Sequence, residues 1–392
     1  MHLSARVAGA IGVVLLIVTG FVGPTPLAIA SDVVGHVYVN DNTAGTNTIG
    51  AFDQHADGTL TPMTGSPFAA GGAGTGAVLG SQGSLQVTAD GRYLLAADAG
   101  SNQVSVLRIR PDGLLSRIQG SPVSSGGIEP VSLAVHGKLV YVANEGNGTT
   151  GSTYTGFVLN SGGHLSPIAG STIPLPATAL PGDILFDPTG THVAGIEVGT
   201  TDPSTFLIDS FTVGADGLLI PAPGSPFPAE AAGPFGSEFS PTDPGHLYVS
   251  NAHGGANNGS VSAFSVSADG SLSSLSGSPY ADGQTAPCWV EISHDGQYLF
   301  TVNTGSTTIS SYRILGDGSL QLLDSTPFSS GVGIRPFDAR LDVNGNYLYV
   351  VDAALDAVSI FAVDGGSLTE LSSSPAALPA GATPFGVVVT EA

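Results

Sequence analysis

The sequence predicts an all-β, seven-bladed β-propeller of four-stranded antiparallel blades, its ring closed by the C-terminal strand joining blade 1. Three observations carry this. A phrase recurs seven times: a polar two-residue turn, a Leu just after it, then Gly-Ser-Pro or a variant. It reads Asp57-Gly58 with Gly65-Ser66-Pro67, Asp112-Gly113 with Gly120-Ser121-Pro122, Gly162-Gly163 with Gly170-Ser171-Thr172, and Asp216-Gly217 with Gly224-Ser225-Pro226. Asp269-Gly270 with Gly277-Ser278-Pro279, Asp317-Gly318 with Ser325-Thr326-Pro327, and Gly365-Gly366 with Ser374-Pro375 complete the set. A period of about fifty residues marks an array of small sheets, none able to bury its face alone. The composition agrees, since 56 Gly and 27 Pro stand beside 42% apolar and only 10% charged residues. Apolar runs are also too short for helices before Gly, Asn, Asp or Pro stops them.

Taken in chain order, Arg6 precedes an apolar stretch from Val7 to Val22, and Ala28-Ile29-Ala30 supplies the small residues of a cleavage site. Residues 1–30 read as a secretory signal, with an uncleaved anchor as the alternative, and residues 31–392 as one propeller domain in a secreted, periplasmic or cell-surface protein. Without residues 1–30 the chain keeps 8 basic against 31 acidic residues, a formal −23. Such a surface repels nucleic acid and anionic membranes. The lone Cys288 cannot form an internal disulfide and reads as a small buried hydrophobe.

Each repeat reads as four strands. In one of them Pro287 opens Cys288 to Ile292, the Asp295-Gly296 turn follows, and Tyr298 to Asn303, Ile309 to Ile314 and a strand ending near the Ser-Thr-Pro complete the unit. Short strands joined by Asp-Gly and Gly-Gly turns are hairpins, and four strands make a blade. Second-strand runs number seven, starting at His36, Tyr93, Leu139, Thr191, His246, Tyr298 and Tyr347. The segment Pro384 to Val389 has no second strand after it, so it is expected as the innermost strand of blade 1, which leaves no open sheet edge.

The run Tyr347-Leu348-Tyr349-Val350-Val351-Asp352 followed by Val358 to Phe361, with Asp-Gly-Ser-Leu turns, resembles the seven-bladed lactonase family that includes 6-phosphogluconolactonase and carboxymuconate cyclase. The resemblance spans residues 35–389. It implies hydrolysis of a small-molecule lactone, without an organic cofactor, at one mouth of the central channel. Of the His, Glu and Arg set that it implies, Glu197 matches. Gly182 and Asp183 stand where Arg and His would follow the opening Pro of blade 4, Phe337 stands where blade 7 would carry an Arg, and blade 3 opens Glu129-Pro130-Val131-Ser132 without a His.

Independently of any family, strand alternation sends the second and fourth residues after each opening Pro toward the axis. This places Ser132, Asp183, Glu238, Trp289, Glu291, Asp338 and Arg340 in the channel, with Glu197 beside Asp183 at the mouth where second strands end. Glu197 or Asp183 is the candidate general base, Arg340 the candidate holder of an oxyanion or substrate carboxylate. Trp289, Glu238, Glu291, Asp338 and Ser132 are the candidate ligand-binding residues. The same oxygens suit Ca2+ as an alternative. His136, His192, His253 and His294 lack zinc-ligand spacing. So acidic a channel disfavours phosphorylated lactones. A monomer is expected. The competing function is a non-catalytic propeller binding a ligand, glycan or protein partner.

Overall fold

The computed structural model describes residues 32–329 and 334–392, so the expected signal segment lies outside the described residues. Seven antiparallel sheets follow one another in chain order, with almost no helix: two single-turn elements, Ala99–Ser101 and Pro203–Thr205. Blade 1 contains Val33–Asn40, Thr48–His55 and Leu60–Pro62, with Gly386–Glu391 paired antiparallel to Val33–Asn40 as its innermost strand. The ring therefore closes as the sequence predicts. The innermost strands of the other blades are Leu85–Val87, Pro130–His136, Pro181–Phe186, Pro234–Phe239, Pro287–Ile292 and Pro336–Leu341. Among the described residues, no helix is long and apolar enough to cross a membrane.

The repeated phrase now has a physical account. The Ser of Gly-Ser-Pro accepts a hydrogen bond from a backbone N–H of its own blade's third strand: Ala51 to Ser66 at 2.9 Å, Val106 to Ser121 at 2.7 Å, Ala263 to Ser278 at 2.8 Å. The outer strand is interrupted there, and its two pieces pair with the same third strand, as Leu60–Pro62 and Phe68–Ala69 both pair with Thr48–His55. Blade 6 carries Ser325-Thr326-Pro327 instead of Gly-Ser-Pro, and its outer strand runs unbroken from Leu320 to Pro327.

The polar turns join neighbouring blades. Tyr38 donates its hydroxyl to the Gly113 carbonyl at 2.7 Å, Tyr141 to Gly217 at 2.7 Å, and Tyr248 to Gly318 at 2.9 Å. Tyr349 of blade 7 donates to Gly58 of blade 1 at 3.0 Å, across the ring closure. Gly58 has φ +81°, and a Cβ there would lie 2.3 Å from the Tyr347 ring, so glycine is required on both counts. Between blades, apolar side chains such as Leu95, Val106, Leu133, Val142 and Phe157 form continuous clusters. Ring closure and these clusters replace cross-links.

Candidate functional site

The two ends of the channel differ. At the end where the innermost strands begin, the segment Leu79–Gly83 crosses the axis. Ser81 donates its hydroxyl to the Val131 carbonyl at 2.8 Å, and the Gln82 N–H donates to the Gly182 carbonyl at 3.0 Å. The Gln82 side chain donates to the Ser237 carbonyl at 2.8 Å and accepts from the Val290 N–H at 3.0 Å. Four blades are thus tied by one loop. Gly236 permits it, since a Cβ there would lie 2.5 Å from the Cys288 carbonyl oxygen.

Trp289 is part of this plug. Its indole N–H donates to the Ser81 carbonyl at 2.8 Å, and its ring lies 4.7 Å from Phe337 and 5.3 Å, edge to face, from Phe235. At 2% exposure it offers no open platform, which corrects the expectation of a ligand-facing aromatic. Tertiary packing supplied a cover that alternation along one strand does not show.

The remaining channel residues follow one rule. The innermost strand of each blade is a sheet edge, so half of its N–H groups lack a ladder partner. Side chains one blade back accept them. Ser132 accepts from Ile184 N–H at 3.1 Å, Asp183 from Ser237 N–H at 3.0 Å, Glu238 from Ile292 N–H at 3.0 Å, and Glu291 from Leu341 N–H at 2.8 Å. Asp338 lies beside the Val387 N–H of blade 1, while its Oδ1 accepts from the Ala339 N–H at 3.0 Å. The acidic character of the channel is therefore first a structural device.

Burial nevertheless disturbs these carboxyls. Asp183 accepts from the hydroxyls of Ser237 at 2.7 Å and Ser132 at 3.1 Å, yet burial, with a smaller push from Asp338, raises it to about 7. Asp338 is likewise pushed up to about 7 by burial, against the pull of Arg340. Arg340 Nη1 lies 2.9 Å from Glu291 Oε2 and 3.9 Å from Glu238 Oε1. Burial raises both glutamates, with Glu291 adding to the rise of Glu238 and Arg340 opposing it. One cation thus faces four carboxyl groups.

Arg340, Glu238 and Asp183 line a cavity of about 270 Å³ on the far side of the plug, together with Gln82, Gln86, Ala134, Ser237 and residues 185–188. The side chains of Arg340 and Glu238 are each 24% exposed, against 4% for Glu291. Glu238 commits Oε2 to Ile292, which leaves Oε1 facing Arg340.

Glu197 is placed elsewhere. Its carboxyl meets Asp209, not Asp183 as expected, and Asp209 in turn accepts from Tyr154 at 3.1 Å. Glu197 is pushed up to about 8, by burial first and then by Asp209 on the neighbouring strand of the same blade. Three second-strand ends serve their own blades: Asn144 bonds Thr153, Asn251 bonds Ser260 and Ser262, and Asn303 bonds Thr308 and Ser310. Cys288 is buried, and burial pushes its thiol up to about 12. The calcium alternative finds no assembled set of side-chain ligands: among the described residues, no group of three or more His, Cys, Asp or Glu side chains is arranged to hold a metal ion. Gln82 escaped the sequence reading because its Gly-Ser-Gln-Gly loop has no strand period to align on.

A closed propeller with a polar channel, plugged at one end and open at the other, defines the class. The family described as lactonase, 7-bladed β-propeller, matches residues 46–155 and 239–385, and the chain belongs to it. Among solved structures, it is 21% identical to a proposed 6-phosphogluconolactonase of Bacteroides fragilis, covering 92% of this chain and 99% of that one with a TM-score of 0.72. The corresponding protein of Bacteroides uniformis is 19% identical, with 92% and 100% covered and a TM-score of 0.73. The periplasmic gluconolactonase PpgL of Pseudomonas aeruginosa is 17% identical, with 91% and 99% covered and a TM-score of 0.70. These likenesses establish the fold. No curated protein matches.

Proposed function

We propose that this chain is an exported lactone hydrolase acting at the open end of its channel. The observation that carries the reading is the meeting of the Arg340 guanidinium and the free oxygen of Glu238 in a cavity large enough for a lactone ring. Glu238 accepts a proton from a water as that water attacks the lactone carbonyl carbon. Arg340 holds the negative oxygen of the tetrahedral intermediate. The ring C–O bond then breaks, the leaving alkoxide takes the proton back from Glu238, and a hydroxy acid departs. Asp183, held by two serines, is a positioning residue that fixes Ser237 next to Glu238. The protein acts as a monomer, and family membership and the signal-like residues 1–30 support hydrolysis and export. A second reading, ligand binding without turnover, is favoured by one feature: Arg340 is already paired with Glu291.

The test is acid release from a panel of neutral lactones by protein beginning at Ser31, compared with Glu238→Gln. Gln keeps an acceptor for Ile292 N–H, so the fold is retained while the base is removed. A loss of about 10²- to 10⁴-fold supports the assignment. Full activity in the variant removes Glu238 from the mechanism, and no turnover by the unaltered protein leaves the binding reading.

A further inference from the structure

The cavity at the channel mouth does not end there. Gln86 and Arg340 also line a second cavity of about 320 Å³, with His294, Leu341, Val343, Val388 and Val389. Val87, Val343 and Val389 in turn line a third, of about 650 Å³, that reaches His36, Ile109 and Arg110 between blades 1 and 2. Three cavities thus share lining residues in sequence, leading outward from Arg340. We propose that they form one groove that holds the aliphatic tail of a lactone whose ring sits at Arg340, so that the substrate class is an alkyl-substituted lactone. This rests on the hydrolase reading of the site for its chemistry, but the binding itself does not.

The lining argues for a tail of this kind. The shared walls are the aliphatic side chains Val87, Val343 and Val389, continued by Leu341 and Val388 on one side and Ile109 on the other. Val343 is 40% exposed at the hairpin joining the first two strands of blade 7, an apolar side chain partly open to water. A glycan would call for aromatic platforms, and the one tryptophan is sealed under the plug at the other end. Against a carboxylated or phosphorylated tail stand Asp90 and Glu391, which line the outer cavity, while Arg110, which also lines it, is already paired with Asp112 at 2.7 Å. Ring and tail thus meet different chemistry: a charged cluster at the mouth and, where the outer cavities meet, the aliphatic side chains of Val87, Val343 and Val389, with His36, Asp90, Arg110 and Glu391 also lining the outermost cavity.

The experiment measures affinity and turnover separately. Calorimetric titration with γ-butyrolactone, γ-octalactone and γ-dodecalactone should give binding that strengthens with each methylene, by up to about fourfold where the methylene is fully buried. Val343→Glu, a substitution at an exposed turn, should shrink the ratio of dodecalactone to butyrolactone affinity about tenfold or more. Chain-length-dependent binding without acid release upholds the groove and removes the hydrolase. Acid release with equal affinity across the series upholds the hydrolase and overturns the groove. A Val343→Glu protein that keeps the full length preference also overturns it, as does failure of all three lactones to bind.

Discussion

Replacing Arg340 with Leu tests the electrostatics of the channel directly. The guanidinium sits 2.9 Å from Glu291 and 3.9 Å from Glu238, and Glu291 is nearly enclosed. Removing one partner of a buried ion pair costs about 3–5 kcal/mol, because the remaining charge is stranded. The open cavity lets water reach Arg340 and Glu238, so the lower end, about 3 kcal/mol, is expected near neutral pH. The loss should depend on pH. Without Arg340 the two glutamates rise further, and in acid they take up protons and cease to be stranded charges. The difference between variant and parent should thus shrink to about 1 kcal/mol, the lost packing of the side-chain stem, near pH 4. Urea unfolding at about pH 8 and pH 4 measures both values. An equal loss at both would show that Arg340 acts through packing, and a loss under about 1 kcal/mol at pH 8 would refute the pairing argument altogether.

Three further outcomes follow from the same geometry. Glu238→Ala should be less stable than Glu238→Gln by about 1–3 kcal/mol in denaturant melts, since Ala strands the Ile292 N–H and Gln does not; equal stabilities would remove the edge-capping role. Trp289→Ala should cost about 3–5 kcal/mol of stability by opening a cavity beneath Ser81, and a well-folded variant that merely loses ligand would restore the ligand-facing reading. The parent itself should be most stable in acid: burial raises Asp41, Glu145, Asp183 and Asp338 to about 7 and Asp98 to about 6, above their unfolded values. Groups raised in this way stabilise fully below their unfolded pKa, near 4, and lose that contribution as pH climbs through 6 to 7. Urea midpoints that rise between about pH 5 and pH 8 would contradict it.

The fold was legible in the sequence because each of its parts is local. The seven polar turns, the Pro-opened strands and the unpartnered run from Pro384 to Val389 can each be read within a dozen residues, and together they leave one closed arrangement. The candidate site was legible only in part. Strand alternation sent Asp183, Glu238, Glu291, Asp338 and Arg340 toward one another, and in the structure the four carboxyls surround Arg340. It failed for Trp289 and Glu197. The plug over Trp289 comes from a loop about two hundred residues earlier, and Asp209, which holds Glu197, lies on the next strand, in a register that only the pairing of the two strands reveals.

The repeat, the ring closure and the acidic lining were thus determined by the chain itself, since periodicity of two and turn chemistry act between near neighbours. Which mouth is open, which carboxylate keeps a free oxygen and which aliphatic side chains line a way out of the channel were decided by the tertiary structure. Those properties depend on what the innermost strand of one blade presents to the N–H groups of the next, a relation across some fifty residues that no local pattern encodes.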